Sequence, residues 1–348
     1  MTKQVQKGGD HSTNIQAKQV CITHGISYEE AHQIAIDVFN ANFLKLSEEA
    51  LEKVNIRAEE ITEQFLRKLK EQNEEGIARA RDPDFQHALF TVQKEYARIG
   101  DKELGDLLVD LLVDRTKYKN RSILEIVLNE SLSVAPKLTN DQIAALSVIF
   151  ILGRTKYQPM NNIAALAIYL DNFILPFVEL ISKRESCYRH LEYAGCGSIS
   201  LGSTKLDKIF LKHYSGLFSR GFILEEVLNN KKIDVPIDSP IFIKCLHNEE
   251  RFQLNALNED VLREKATKLN IDEDNIKKLI DLNNTFVIKG NELKKYLMEL
   301  RPYMNTIFEV WENSLMKRFD LTSVGIAIAH ANIKRIYGEF ADLSIWIN

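Results

Sequence analysis

Apolar residues recur every three or four positions through most of the chain, a spacing that predicts amphipathic helices. The clearest run is Leu51, Val54, Ala58, Ile61, Phe65 and Leu69, which has the 3–4 rhythm of a coiled-coil seam. An earlier set, Ile34, Val38 and Ala41, is out of phase with it, so a stutter or break is expected near Ser47. The seam would serve equally to pack a second chain or the protein's own body. Start and stop signals frame the helices. Ser27 with Glu30 forms a capping box, and Glu29 adds a favourable charge in the first turn. "RDPDFQHALFTVQKEYARIGD" has Asp82 as N-cap, Pro83 at the first helical position and Gly100 as stop. "KELGDLLVDLLVDRT" and "SILEIVLNESLSVAPK" follow as helices. A second capping box, Thr139 with Gln142, precedes "IAALSVIFILG".

The period changes in three places. Ser12 to Ala17 and Gln19 to Thr23 alternate like short strands, punctuated by Gly8, Gly9 and Gly25. After Asn230, "KKIDVPIDSPIFIKCLHNEERFQLNAL" carries two prolines and short β-type runs. The ending "FADLSIWIN" also reads as a strand. The expected fold is therefore mainly α, a multi-helix body with a short N-terminal β-hairpin or strand pair and a few short strands in the C-terminal part. The expected divisions are a β-type segment at 1–26, a long coiled-coil-like helical region at 27–76, a helical body at 77–230 and a mostly helical module at 231–348.

Composition narrows the function classes. The 45 basic and 49 acidic residues give a net charge of −4, so there is no global electrostatic case for nucleic-acid binding. Only 7 Pro and 15 Gly argue against an all-β fold. The four cysteines, Cys21, Cys187, Cys196 and Cys245, have no regular spacing, which suits a reducing compartment. "MTKQVQKGGD" lacks the apolar run of a signal peptide, so a cytoplasmic location is expected.

Candidate chemistry is sparse, and no catalytic or cofactor motif stands out. The stretch "CYRHLEYAGCGSISLGSTKLDKIFLKH" is the most unusual. Cys187, His190, Cys196 and His213 could in principle offer zinc two sulfurs and two nitrogens, although only the first pair has a reasonable spacing; packed core residues are the ordinary alternative. Gly195, Gly197 and Gly202, with Ser198, Ser200, Ser203 and Thr204, precede a new helix, where backbone N–H groups can cradle an anion. The order "GSISLGSTK" is only superficially like a P-loop, since the lysine follows Ser-Thr and the preceding element looks helical. A structural loop with a Ser or Thr cap is the alternative there. Asp106, Asp110 and Asp114 share one helix face, either as a salt-bridged stripe or as oxygen ligands for a hard cation. "IAALSVIFILG" and "IAALAIYLDNFILPFVELI" read as buried core helices, or as a hairpin released into a membrane on activation; Asp171, Pro176 and Glu179 interrupt the second. Near the C-terminus, Gly325, Ala327, Ala329 and Ala331 permit close helix approach around a semi-buried His330 and Asn332.

The opening "GGDHSTNIQAKQVCI" resembles the GGDxSTNIQ-type segment that heads an uncharacterised family of bacterial helical proteins. "ALFTVQKEYARIGDKELGDLLVDLLVDRTK", "HLEYAGCGSISLGST" and "GIAIAHANIKRIYGEFADLSIWI" are similar to that family too, so the likeness covers most of the chain. It implies no established activity and no catalytic residues. Related segments precede signalling or effector domains in bacterial conflict systems, and that resemblance implies β-mediated self-association. Ile15 to Lys18 is similar to the Ile-Gln-aliphatic-Gly core of RHIM-type amyloid motifs, departing from it at Ala17 and Lys18.

Two isolated strands are unstable alone, whereas copies from neighbouring chains can pair their edges. The leading expectation is therefore a homo-oligomerising interaction protein, held together through Asn14, Ile15, Gln16, Val20 and Ile22, and acting as a sensor, scaffold or effector in anti-phage defence. Pairing of those strands with the chain's own "LSIWI" is the intramolecular alternative. An enzyme or small-ligand binder using loop 195–204 and a membrane-perturbing effector using residues 143–181 are the other two readings. The expected partners are other copies of the chain and another protein, with no nucleic acid, no membrane in the resting state and no cofactor.

Overall fold

Ser27 and Glu30 cap the first helix reciprocally: Ser27 Oγ accepts from the Glu30 amide at 3.1 Å, and Glu30 Oε2 accepts from the Ser27 amide at 2.9 Å. The computed structural model describes residues 26–42, 48–118, 121–157 and 160–347. Across them the fold is mainly α with two small two-stranded antiparallel sheets. The expected N-terminal strand pair, with Asn14, Ile15, Gln16, Val20 and Ile22, lies outside the described residues. The chain forms two compact units, Met1–Ala97 and Arg98–Asn348.

The first unit holds α1 (Tyr28–Asn42), α2 (Glu48–Gln72), a 3-10 segment Glu74–Arg81 and most of α3 (Pro83–Ile99). The predicted break falls between α1 and α2, and Asp82 Oδ1 caps α3 as expected, accepting from the amides of Asp84 and Phe85. Five of the six seam residues, from Val54 to Leu69, are buried within this single chain, while Leu51 is exposed. Phe39, Val54, Ala58 and Ala97 form one cluster with Phe90 against it, and Phe65 meets Phe85 with ring centres 5.9 Å apart. Gln93 of α3 donates to Thr62 Oγ1 at 2.9 Å and to the Ala35 carbonyl at 3.2 Å, so a polar link crosses all three helices. The coiled-coil-like rhythm thus describes a face that α1 and α3 cover within the unit. A 3–4 spacing specifies burial of a stripe, and it does not name the chain that does the burying.

The second unit is built around α4 (Lys102–Thr116), α5 (Ile123–Val134), α6 (Asn140–Arg154) and the late helix α15 (Ser323–Tyr337). Helix α15 packs on α4, α5 and α6 through its small-residue face, and Ala327, Ile328 and Ala329 lose all solvent exposure. Between them the chain forms α7 (Ile163–Phe173), α8 (Glu185–Tyr193), β1 (Gly197–Ile199), α9 (Leu206–Tyr214) and α10 (Leu224–Lys231). The hairpin β2 (Phe242–Cys245) and β3 (Asn248–Leu254) follows, then α11 (Glu259–Lys268), α12 (Glu273–Phe286), α13 (Gly290–Leu300), α14 (Met304–Asn313) and β4 (Phe319–Leu321). The changed texture after Asn230 corresponds to this hairpin, which packs with α10, α11 and α12 on a cluster running from Phe222 to Leu282.

Two buried charges in this unit, Arg115 and Asp114, are paired. Arg115 of α4, with no exposed side chain, meets Glu125 of α5 at 3.0 Å and donates to Asn129 Oδ1 at 3.1 Å. Of the acidic stripe, Asp110 and Asp114 are buried, and Asp114 bonds Lys334 of α15 at 2.8 Å and Lys117 at 2.7 Å. Burial pushes the Asp114 carboxyl up, but the two ammonium groups outweigh it and leave the group below the ordinary carboxylate value.

Residues Ile143–Leu152 are buried in α6, and Asp171 at the end of α7 is held by Arg301 at 2.6 and 2.7 Å and by Tyr303 at 2.8 Å. Among the described residues, no helix is long and apolar enough to cross a membrane. The predicted terminal strand is corrected: Leu343–Ile345 is a 3-10 turn. Asp342 caps it, accepting from the Ser344 amide at 2.9 Å, and the Trp346 indole donates to the Arg154 carbonyl at 2.9 Å. Alternation of apolar residues there buries Leu343 and Ile347 through a turn, so "LSIWI" offers no strand for intramolecular pairing with the N-terminus.

Candidate functional site

Loop 195–204 runs from the end of α8 through β1 to the start of α9, and it is pinned by the distant C-terminal part of the same unit. Strand β1 pairs antiparallel with β4, with Gly197 opposite Leu321 and Ser198 opposite Asp320. The amide of Ile199 donates to Glu192 Oε1 at 2.7 Å, that of Ser200 to the Arg318 carbonyl at 2.8 Å, and that of Thr204 to the Lys317 carbonyl at 2.9 Å. Thr322 Oγ1 donates to the Gly195 carbonyl at 2.6 Å, and Arg318 Nε to the Ser200 carbonyl at 2.8 Å. Two glycines have steric reasons. A Cβ on Gly197 would lie 2.2 Å from the Phe319 ring, and one on Gly325, at the start of α15, 2.0 Å from the Cys196 carbonyl oxygen. Gly202, Ser198 and Ser203 remain exposed.

The four thiol and imidazole candidates for zinc do not converge. Cys187 and Cys196 are buried, and burial pushes both thiols up to about 12, which keeps them protonated. His190 is exposed and its Nδ1 lies against the Gln142 side-chain amide, whereas His213 sits on α9. The metal-competent side chains that do converge among the described residues are His32, Glu59 and Glu63 in the first unit. There His32 Nε2 and Glu59 Oε1 are 3.0 Å apart, a hydrogen-bond distance that accounts for the approach.

What the end of the loop does reach is a cleft of about 460 Å3, between the C-terminus of α6, α9, the turn Leu315–Arg318 and β4. Its walls bring together Arg154, Lys208, Lys212 and Lys317 with Thr204, and Asp320 supplies the one carboxylate in the lining. Asp320 is taken by Arg154 as an ion pair, and Lys317 donates to the Glu312 carbonyl at 2.6 Å. Lys208 and Lys212 stand one turn apart on α9, and neither makes an ion pair with a described residue. Like charges at that spacing destabilise a helix by a few tenths of a kcal/mol. On their far side a second hollow contains Glu259 and Asp260, but these carboxylates are engaged by Arg263 at 3.2 Å and Lys156 at 3.1 Å.

Two further groups define the cleft floor. Trp311 donates its indole N–H to the Thr204 carbonyl at 2.8 Å, which fixes the loop end against α14. His213 is buried, and its imidazole is lowered to about 4 by burial first and then by Lys156 and Lys212. The ring is therefore neutral near pH 7, chiefly because it is buried, with the two lysine charges adding to the effect.

A protein-family model matches residues 25–347. The chain belongs to that family. The match spans residues of both units, and because the family is uncharacterised, membership transfers no activity, ligand or catalytic residue. The match begins after the segment that contains Asn14, Ile15, Gln16, Val20 and Ile22. Comparison with curated proteins finds no match, and neither does comparison with solved structures.

Sequence reasoning had reached Gly195, Gly197, Ser198, Gly202, Ser203 and Thr204, and of these Thr204 lines the cleft. Arg154, Lys208, Lys212 and Lys317 were missed. The readable signal was "KLDKIFLKH", where two lysines share a helix face with no acid four residues away to answer Lys212.

Proposed function

We propose that this chain is a ligand-sensing interaction protein whose second unit binds a small, multiply charged anion of the phosphate class. The observation that carries the reading is the cleft lining, four cations against one carboxylate, with Lys208 and Lys212 unanswered by any described acid. Phosphate oxygens accept from several ammonium and guanidinium donors at once, and Arg and Lys are the side chains suited to them. Thr204, a residue with a neutral hydroxyl, also belongs to the lining. The test is calorimetric titration of the full chain with inorganic pyrophosphate, alongside the double variant Lys208→Gln, Lys212→Gln. Binding that the double variant loses by tenfold or more is the expected outcome. Equal affinity in both proteins would remove the cleft from consideration.

The interaction half of the proposal rests on the N-terminal "GGDHSTNIQAKQVCI" and its resemblance to segments of bacterial conflict systems, which supports a role as a sensor in defence with copies assembled through residues 1–26. Leu201 in loop 195–204 and Tyr193 just before it, respectively 98% and 89% exposed, add apolar contact area of the kind that partner proteins cover. The solution mass of the full chain beside a variant lacking residues 1–26 tests it. A defined oligomer that the truncation reduces to monomer is expected, and two monomers would overturn the assembly reading.

A further inference from the structure

The cationic cleft has a neighbour of opposite character. A second cavity of about 460 Å3 opens on the other side of Arg154, and its walls are aromatic: Tyr157, Phe173, Tyr337, Phe340 and Trp346. Both volumes lie within the roughly 300–1,000 Å3 of small-molecule sites. Phe173 and Tyr337 approach to 4.3 Å between ring centres, and Phe340 stacks on Trp346 with the ring planes 15° apart. Tyr337 is 42% exposed, and Phe340 and Trp346 are partly so, which leaves aromatic surface facing the cavity. Stacked aromatic side chains with exposed faces are the platform on which planar bases stack.

Arg154 belongs to the lining of both cavities. The Trp346 indole donates to the Arg154 carbonyl, so the residue that pairs with Asp320 in the cationic cleft is also the residue that anchors the aromatic wall. Lys156 stands on the aromatic side and Lys212 on the cationic side, and both act on the His213 imidazole from their two positions. The two halves thus meet at one residue, Arg154, with Lys156 on the aromatic side and Lys212 on the cationic side. A ligand that satisfies both must be planar and aromatic at one end and multiply anionic at the other.

Resting on the anion-binding reading above, we infer that the ligand is a nucleoside diphosphate, its phosphates among Arg154, Lys208, Lys212 and Lys317 and its base on the Tyr337, Phe340 and Trp346 wall. The chain contains two tryptophans, Trp311 in the cationic cleft and Trp346 in the aromatic one, so each half carries its own fluorescent reporter.

The experiment titrates the full chain with ADP, GDP, pyrophosphate and adenosine, following tryptophan emission in the wild type and in Trp311→Phe, with calorimetry for affinity. A nucleoside diphosphate should bind at least tenfold more tightly than pyrophosphate and should change the emission of Trp346 that remains in Trp311→Phe. Tyr337→Ala, at an exposed position, should lose about tenfold for the nucleotide and leave pyrophosphate unchanged. Pyrophosphate binding as tightly as ADP and GDP, with Tyr337→Ala indifferent to all four, would overturn the nucleotide inference while the anion reading stands. No binding of pyrophosphate or of either nucleotide would overturn the anion reading, and this inference with it. Adenosine binding alone, without any gain from the phosphates, would do the same.

Discussion

Loop 195–204 and the α9 face that follows it are neighbours in sequence and opposites in chemistry. The loop is rich in glycine and serine, and its amides at Ile199, Ser200 and Thr204 are already bonded to protein oxygens. The α9 face carries Lys208 and Lys212 and leaves both charges unanswered by described acids. In the loop, Gly197 is fixed by the close approach of the Phe319 ring and Gly195 by a positive φ, while Gly325 of α15 meets the Cys196 carbonyl from the other side. Unanswered charge has no such internal explanation. The contrast teaches that flexible composition marks where a chain packs on itself, whereas unmatched electrostatics marks where it waits for something else.

The comparison can be broken most severely on the packed side. Gly325→Ala places a methyl group 2.0 Å from the Cys196 oxygen, so α15 and the loop must separate. A loss of about 1–3 kcal/mol or more is expected in urea unfolding, and a variant as stable as wild type would refute the close-approach argument. The next effect lies at the cleft floor. His213 is held at about 4, below its ordinary value, so it is neutral in the folded state and takes up its proton mainly on unfolding as pH falls. Its contribution is fully present above about pH 6.5 and is lost as pH falls from there toward about 4, amounting to about 1–2 kcal/mol by pH 5. His213→Gln should flatten the thermal midpoint between pH 7 and pH 5, and a slope equal to wild type would assign the acid sensitivity elsewhere.

Smaller effects sharpen the contrast. Thr322→Val removes the hydroxyl that reaches the Gly195 carbonyl at 2.6 Å and that caps the Gly325 amide at 3.3 Å, for an expected cost of about 1 kcal/mol. Lys208→Gln with Lys212→Gln should leave stability within a few tenths of a kcal/mol or raise it slightly, since a like-charge pair is relieved. Destabilisation beyond about 1 kcal/mol would show that the lysines serve packing, and the two regions would then differ less than the charges suggest.

Much of the helical framework was legible because its signals are local. The Ser27–Glu30 and Asp82 caps, the stop at Gly100 and the buried runs of α4 and α6 each follow from a few adjacent residues. The ending failed for the same reason turned round. "LSIWI" alternates like a strand, but the cap from Asp342 and a partner for Trp346 that lies 192 positions away fold it into a turn. The cleft was legible only at Thr204 and His213, because its cations come from the end of α6, from α9 and from the turn before β4. No spacing within a window joins Arg154 to Lys317. Cys187 and Cys196, close in sequence, are buried thiols among core side chains, the ordinary alternative that stood beside zinc in the sequence.

The bond between Thr322 and the Gly195 carbonyl spans 127 positions, and among the described residues β1 pairs with β4 alone. Closing so long a span is slow in folding, because the chain entropy must be surrendered before the contact repays it. During synthesis the first unit can complete itself while α9 is still being made, but the wall formed by Lys317 and β4 arrives more than a hundred residues after Thr204. The cleft therefore cannot close until β4 has left the ribosome, and a shortened chain that stops before β4 lacks that wall of the site.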